Sequence, residues 1–144
     1  MITVENYKKN LTIMYVEDDA LTASKLKKNF MKIFNKVIII SNAEEAFEEL
    51  KKIKIDLIIS DLNKSQNDSL EFLGKLRKCN SKIPFIFVTA GDEPDNMLKA
   101  IQLGIDNYIL KPINFQNLVS IIDLIGEKLY KENLLHSNKL KSNL

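Results

Sequence analysis

The chain has 144 residues, 45% of them hydrophobic, with 21 Lys and Arg against 19 Asp and Glu and a formal net charge of +2. A chain of that size buries a real core without disulfides or a structural metal, so one compact unit is expected. Near-neutrality argues against a dominant nucleic-acid surface. The excess charge lies at the end: from Glu127 onward, Lys128, Lys131, Lys139 and Lys141 stand against Glu127 and Glu132. Cys79 is the single cysteine, which excludes an internal disulfide or a CxxC pair and fits a reducing cytosol. No apolar run approaches the length of a membrane span, and residues 1–9 lack the pattern of a signal or transit peptide. A soluble, cytoplasmic protein that engages no membrane is expected.

Short apolar runs rich in β-branched and aromatic residues alternate with amphipathic stretches, the pattern of an α/β fold on a parallel sheet. The first strand is expected at 11–16, followed by a helix over 20–34 that spaces Leu21, Leu26, Phe30 and Phe34 helically. A second strand at 37–40 precedes a helix over 43–52. Ser41 with Glu44 three residues on has the form of a capping box for that helix. The third strand, 57–60, leads to a helix over 69–78. The fourth strand, 85–88, leads to a helix opened by Pro94 and stopped by Gly104. The fifth strand, 107–110, is separated by Pro112 from a last helix carrying Leu118, Ile121, Ile122, Ile125 and Leu129. Beyond it the apolar trace thins through Leu134, Leu135, Leu140 and Leu144, consistent with an extended helix, a coiled-coil linker or disorder. Right-handed crossovers between five βα units place helices on both faces of the sheet.

Parallel strands all point one way, so their C-terminal ends gather along one edge, where such folds place ligands. The first strand runs into Glu17, Asp18 and Asp19, the third into Asp61, the fourth into Thr89 and the fifth into Lys111. Carboxylates held close together repel unless protons or a cation reduce their charge. Mg2+ takes one or two protein carboxylates and leaves positions for phosphate oxygens, which suits Asp18 and Asp61 better than a zinc site would. The only histidine, His136, lies in the tail. An Asp carboxylate beside a metal can attack phosphorus to form an acyl phosphate, and Asp61 is the natural candidate. Lys111 would pair with it and then with the phosphoryl oxygens, and the Thr89 hydroxyl could donate to one of them.

Met14-Tyr15-Val16-Glu17-Asp18-Asp19, Leu57-Ile58-Ile59-Ser60-Asp61, Phe87-Val88-Thr89-Ala90 and Tyr108-Ile109-Leu110-Lys111-Pro112 stand in that order. Together they resemble the bacterial response-regulator receiver family over residues 12–129. The resemblance implies a flavodoxin-like, doubly wound five-stranded sheet of order 2-1-3-4-5, for which a chemotaxis member of the family is a standard example. It implies a receiver domain at 1–129 and a tail at 130–144. It implies a phosphorylation-activated switch of a two-component phosphorelay, not a turnover enzyme, with Asp61 as acceptor. The metal set would be Asp18, Asp61 and the backbone carbonyl of Asn63, with Glu17 acting through water. A cis Lys111-Pro112 bond follows from the same likeness. Thr89 and Tyr108 would be the switch pair, reshaping the surface around the fourth helix and fifth strand by a population shift.

The implied partners are a sensor histidine kinase or phosphotransfer protein and an unidentified downstream effector. A homodimer and no direct nucleic-acid binding are also expected. One departure is the turn after the acceptor, Leu62-Asn63-Lys64-Ser65-Gln66-Asn67-Asp68-Ser69, which lacks the Met-Pro step and later glycine usual in the family. Its rigidity is therefore in question. Two other functions compete. A metal-dependent phosphohydrolase would use the same residues but finds Asn63 where a second aspartate would serve as general acid. A degenerate receiver would act only as an interaction module.

Overall fold

The computed structural model describes residues 2–62, 68–79 and 81–142. The strands are β1 (Thr12–Glu17), β2 (Lys36–Ile40), β3 (Leu57–Asp61), β4 (Phe85–Thr89) and β5 (Asn107–Leu110). They form one parallel sheet of order β2-β1-β3-β4-β5, the order that the family resemblance implies. The helices are α1 (Val4–Lys9), α2 (Ala20–Phe30), α3 (Ala43–Lys52), α4 (Asp68–Lys78), α5 (Pro94–Gln102) and α6 (Phe115–Ser142).

Side chains of a strand alternate between faces, and the two cores follow that rule. Ile13, Tyr15, Leu57, Ile59, Ile86, Val88 and Ile109 join Leu26 and Phe30 of α2 and Leu118, Ile122 and Ile125 of α6. Met14, Val16, Ile58, Phe85 and Phe87 turn the other way, onto Ala46 of α3, Phe72 and Leu73 of α4 and Ala100 of α5. Each fully buried Leu, Ile or Phe side chain contributes about 1.5–3 kcal/mol by leaving water.

The helix boundaries correct the sequence reading in three places. The helix expected over 20–34 ends at Phe30. Ile33 N and Phe34 N both donate to Phe30 O, at 3.0 and 2.8 Å, in a tightened last turn. That turn carries Phe34 back into the core before β2 begins. The cap of α3 is Asn42, not Ser41: Asn42 Oδ1 accepts from Glu45 N at 2.9 Å, one residue later than the box placed it. The third is α1, whose six residues are too few to show a period. Thr3 Oγ1 caps it, and it packs on α6 through a Tyr7–Tyr130 edge contact with ring centroids 5.4 Å apart. Gly126 allows that approach, because a Cβ there would stand 3.0 Å from Lys8 Cγ and 3.3 Å from Leu11 Cδ1.

Past Leu129 the chain continues α6 to Ser142, a helix of 28 residues. Leu134, Leu135 and His136 are exposed on its outer part. At the other break points the sequence signals match the structure. Pro94 sits in the first turn of α5, and Gly104 follows its end with φ +83, the left-handed region that favours glycine.

Candidate functional site

The register of the sheet builds the site. Glu17 and Asp61, the last residues of β1 and β3, are Cα partners in adjacent strands. Both carboxylates are buried, at 2% and 1% exposure. Lys111 follows β5 directly, its N–H donating to Thr89 O at 2.9 Å. A cis bond joins it to Pro112. From there its ammonium reaches inward to 2.6 Å from Asp61 Oδ1. Glu17, Asp61 and Lys111 line one recess of about 320 Å3, together with Asp19, Thr22 and Pro112.

Electrostatics in this recess favour added positive charge. Burial above all, then the neighbouring Asp61 carboxyl, pushes Glu17 up to about 8, against a partial lowering by the Asp19 backbone N–H. That N–H donates to Glu17 Oε1 at 3.0 Å, while Glu17 Oε2 is buried without a hydrogen-bond partner. Beneath them the phenol of Tyr15 is buried, its oxygen likewise without a hydrogen-bond partner. Burial, then the Asp61 and Glu17 charges, raises its pKa. The residue types inside the first motif gave no hint that the Tyr15 phenol would lie near these carboxyls, since alternation alone assigns it to the apolar core.

Asp18 stands next to Glu17 but opens onto an adjoining recess of about 370 Å3 lined by Leu62, Asp68 and Lys75. Its charge is one of the influences raising Glu17. Among the described residues, no three His, Cys, Asp or Glu side chains are set close enough to hold a metal by themselves. Asn63 and Lys64 lie outside the described residues. Thr89, the last residue of β4, lines a third recess of about 180 Å3 with Leu62, Ser69 and Asn96. Its Oγ1 accepts from Gly91 N at 3.1 Å. Gly91 has φ +77, the left-handed region that favours glycine. Tyr108 pairs with Phe87 across β4 and β5 and faces outward, 43% exposed.

Asp19 is a capping residue: its carboxylate accepts from Thr22 N at 3.2 Å and from the Thr22 hydroxyl, opening α2. Those bonds hold its own carboxyl below the usual range. Asp56 anchors the other end of the sheet by accepting from Thr12 N at 2.8 Å. The structure thus brings Glu17, Asp61 and Lys111 into one recess and sets Asp18 and Thr89 in the recesses beside it. Tyr108 stands apart on the outer edge.

No helix among the described residues is long and apolar enough to cross a membrane. The family model described as the response regulator receiver domain matches residues 13–123. The sensory transduction protein BceR of Halalkalibacterium halodurans is 33% identical over 118 residues, covering 82% of this chain and 51% of that protein. The probable transcriptional regulator ycf29 of Porphyra purpurea is 35% identical over 133 residues, 91% of this chain and 62% of that protein. The chain therefore spans between half and two thirds of the length of these relatives. Among solved structures, the signal receiver domain of a signal transduction histidine kinase from Syntrophus aciditrophicus is 26% identical with a TM-score of 0.73, covering 81% of this chain and 90% of that chain. With sheet order, family model and relatives in agreement, the chain belongs to the response regulator receiver domain family, the signalling domain of two-component systems.

Proposed function

We propose that this domain is a phosphorylation-activated switch in which Asp61 accepts a phosphoryl group from the phosphohistidine of a sensor histidine kinase or phosphotransfer protein. The observation that carries the reading is the Lys111 ammonium 2.6 Å from Asp61 Oδ1, beside the buried Glu17 carboxyl at the C-terminal edge of the sheet. In the transfer, an Asp61 carboxylate oxygen bonds to phosphorus as the donor's P–N bond breaks and its electron pair returns to the imidazole. Lys111 pairs with the carboxylate beforehand and with phosphoryl oxygens afterwards. The Thr89 hydroxyl, whose oxygen accepts from Gly91 N, keeps its own proton to donate to one of those oxygens.

The donor set suits a hard cation: carboxylate oxygens, one of them Glu17 Oε2 buried without a hydrogen-bond partner. Asp18, Asp61 and the Asn63 backbone carbonyl would hold Mg2+ directly, and Glu17 would act through water. When bound, Mg2+ supplies positive charge against the phosphoryl oxygens. Phosphorylation then biases Thr89 and the outward-facing Tyr108 toward inward positions, altering the α5–β5 surface that a downstream effector reads. Residues 1–129 form the receiver unit, and 130–144 connect it to an effector or to a second copy in a homodimer. The setting is the cytoplasm, and the domain phosphorylates and dephosphorylates itself rather than turning over a substrate.

Labelling with radioactive acetyl phosphate tests the reading. Uptake that requires Mg2+ and disappears in Asp61→Asn is expected. Unchanged uptake in Asp61→Asn, or turnover of a phosphate monoester, would overturn it.

A further inference from the structure

The turn that follows Asp61 has no proline to fix its backbone, yet Asp61 is held from α4 on both sides. Alternation along β3 sends Leu57 and Ile59 to one core and Ile58 to the other, so Ser60 faces the layer that contains α4. There Ser60 Oγ lies 2.8 Å from Ser69 Oγ, in the first turn of α4. The same Ser69 Oγ accepts from Leu62 N at 3.3 Å. Ser60 is fully buried and Ser69 is 4% exposed. A hydroxyl carries one proton and two lone pairs, enough for both bonds at once.

We propose that Ser69 is a positioning residue for the acceptor: one oxygen on α4 ties down the residue before Asp61 and the residue after it. The proposal rests on the reading of Asp61 as phosphoacceptor. Fixing both flanks fixes the direction in which the Asp61 carboxylate leaves the backbone, and so its placement against Glu17 and Lys111. Catalytic geometry is sensitive on this scale, since a displacement of about 1 Å can cost about a hundredfold in rate. Thr89 lines the same recess as Ser69 and Leu62.

The test combines acetyl phosphate labelling with amide hydrogen exchange at Leu62 on the full chain. In Ser69→Ala, labelling should slow about tenfold and the Leu62 amide should lose protection, while amides of β1 keep theirs. Ser69→Thr, which retains the oxygen, should restore both readouts. Ser60→Ala leaves the Leu62 bond in place and should slow labelling less than Ser69→Ala. A folded Ser69→Ala that labels at the wild-type rate would overturn the inference while leaving Asp61 as acceptor. Wild-type protein that takes no label would overturn the acceptor reading, and the inference with it. If Ser69→Ala does not fold, Ser60→Ala decides, because it removes only the Ser60–Ser69 bond: slower labelling with Leu62 still protected supports the inference, and labelling at the wild-type rate would overturn it.

Discussion

The strands at the centre of the sheet and the strand at its far edge are built on opposite terms. β1 and β3 bury every residue, including the acidic Glu17 and Asp61 at their ends. β5 buries only Ile109 and leaves Tyr108 43% and Leu110 52% exposed. Its neighbour α5 buries only Ala100, with Leu98 and Ile101 on the surface. Chemistry that depends on fixed distances belongs on the rigid centre, because close-packed side chains hold their neighbours in place. An element that must change position belongs where few contacts oppose it. On the proposed reading, the contrast separates where a phosphoryl group is taken up from where its presence is read.

The largest expected break of that contrast is a cavity at the centre. Ile59→Ala should cost about 2–5 kcal/mol, measured as a lowered urea midpoint, whereas Leu110→Ala on the edge should stay within about 1 kcal/mol. Equal losses would mean that the edge is as firmly packed as the middle. Next in size is Lys111→Met, which removes the ammonium 2.6 Å from Asp61. Labelling by acetyl phosphate should slow about tenfold or more, and an undiminished rate would show that Lys111 does not assist the transfer.

A smaller effect sharpens the electrostatic side. Glu17 sits near 8 in the fold against 4.5 for an ordinary glutamate, so the folded state favours its neutral form. That stabilisation is complete below about pH 4.5, where the unfolded chain is protonated too. It is lost as pH rises from there through about 8, because the unfolded chain releases its proton first. Metal-free protein in EDTA should therefore lose stability across this window, and Glu17→Gln should flatten the slope. A Glu17→Gln profile parallel to wild type would show that the carboxyl is not held neutral. The smallest effect is at the edge itself. Tyr108→Ala should change stability by no more than about 0.5 kcal/mol and leave labelling intact, while reducing the NMR shift changes on α5 induced by beryllofluoride and Mg2+. Undiminished changes there would remove Tyr108 from the switch.

The sequence by itself determined the layering and the shortlist of site residues. Short unbroken apolar runs rich in β-branched residues, with helical spacing between them, specify five βα units, and parallel strands leave no choice but to gather Glu17, Asp61, Thr89 and Lys111 at one edge. Tertiary structure alone decided what required contacts between distant segments. α1 is too short to announce itself and exists by packing Tyr7 on Tyr130. The turn at 31–33 overrides helical spacing because Phe34 is needed in the core. The pairing of Ser60 with Ser69 joins two ordinary serines nine residues apart. A serine has no pattern of its own in a sequence, and only burial, by making an unbonded hydroxyl costly, turns it into a structural statement.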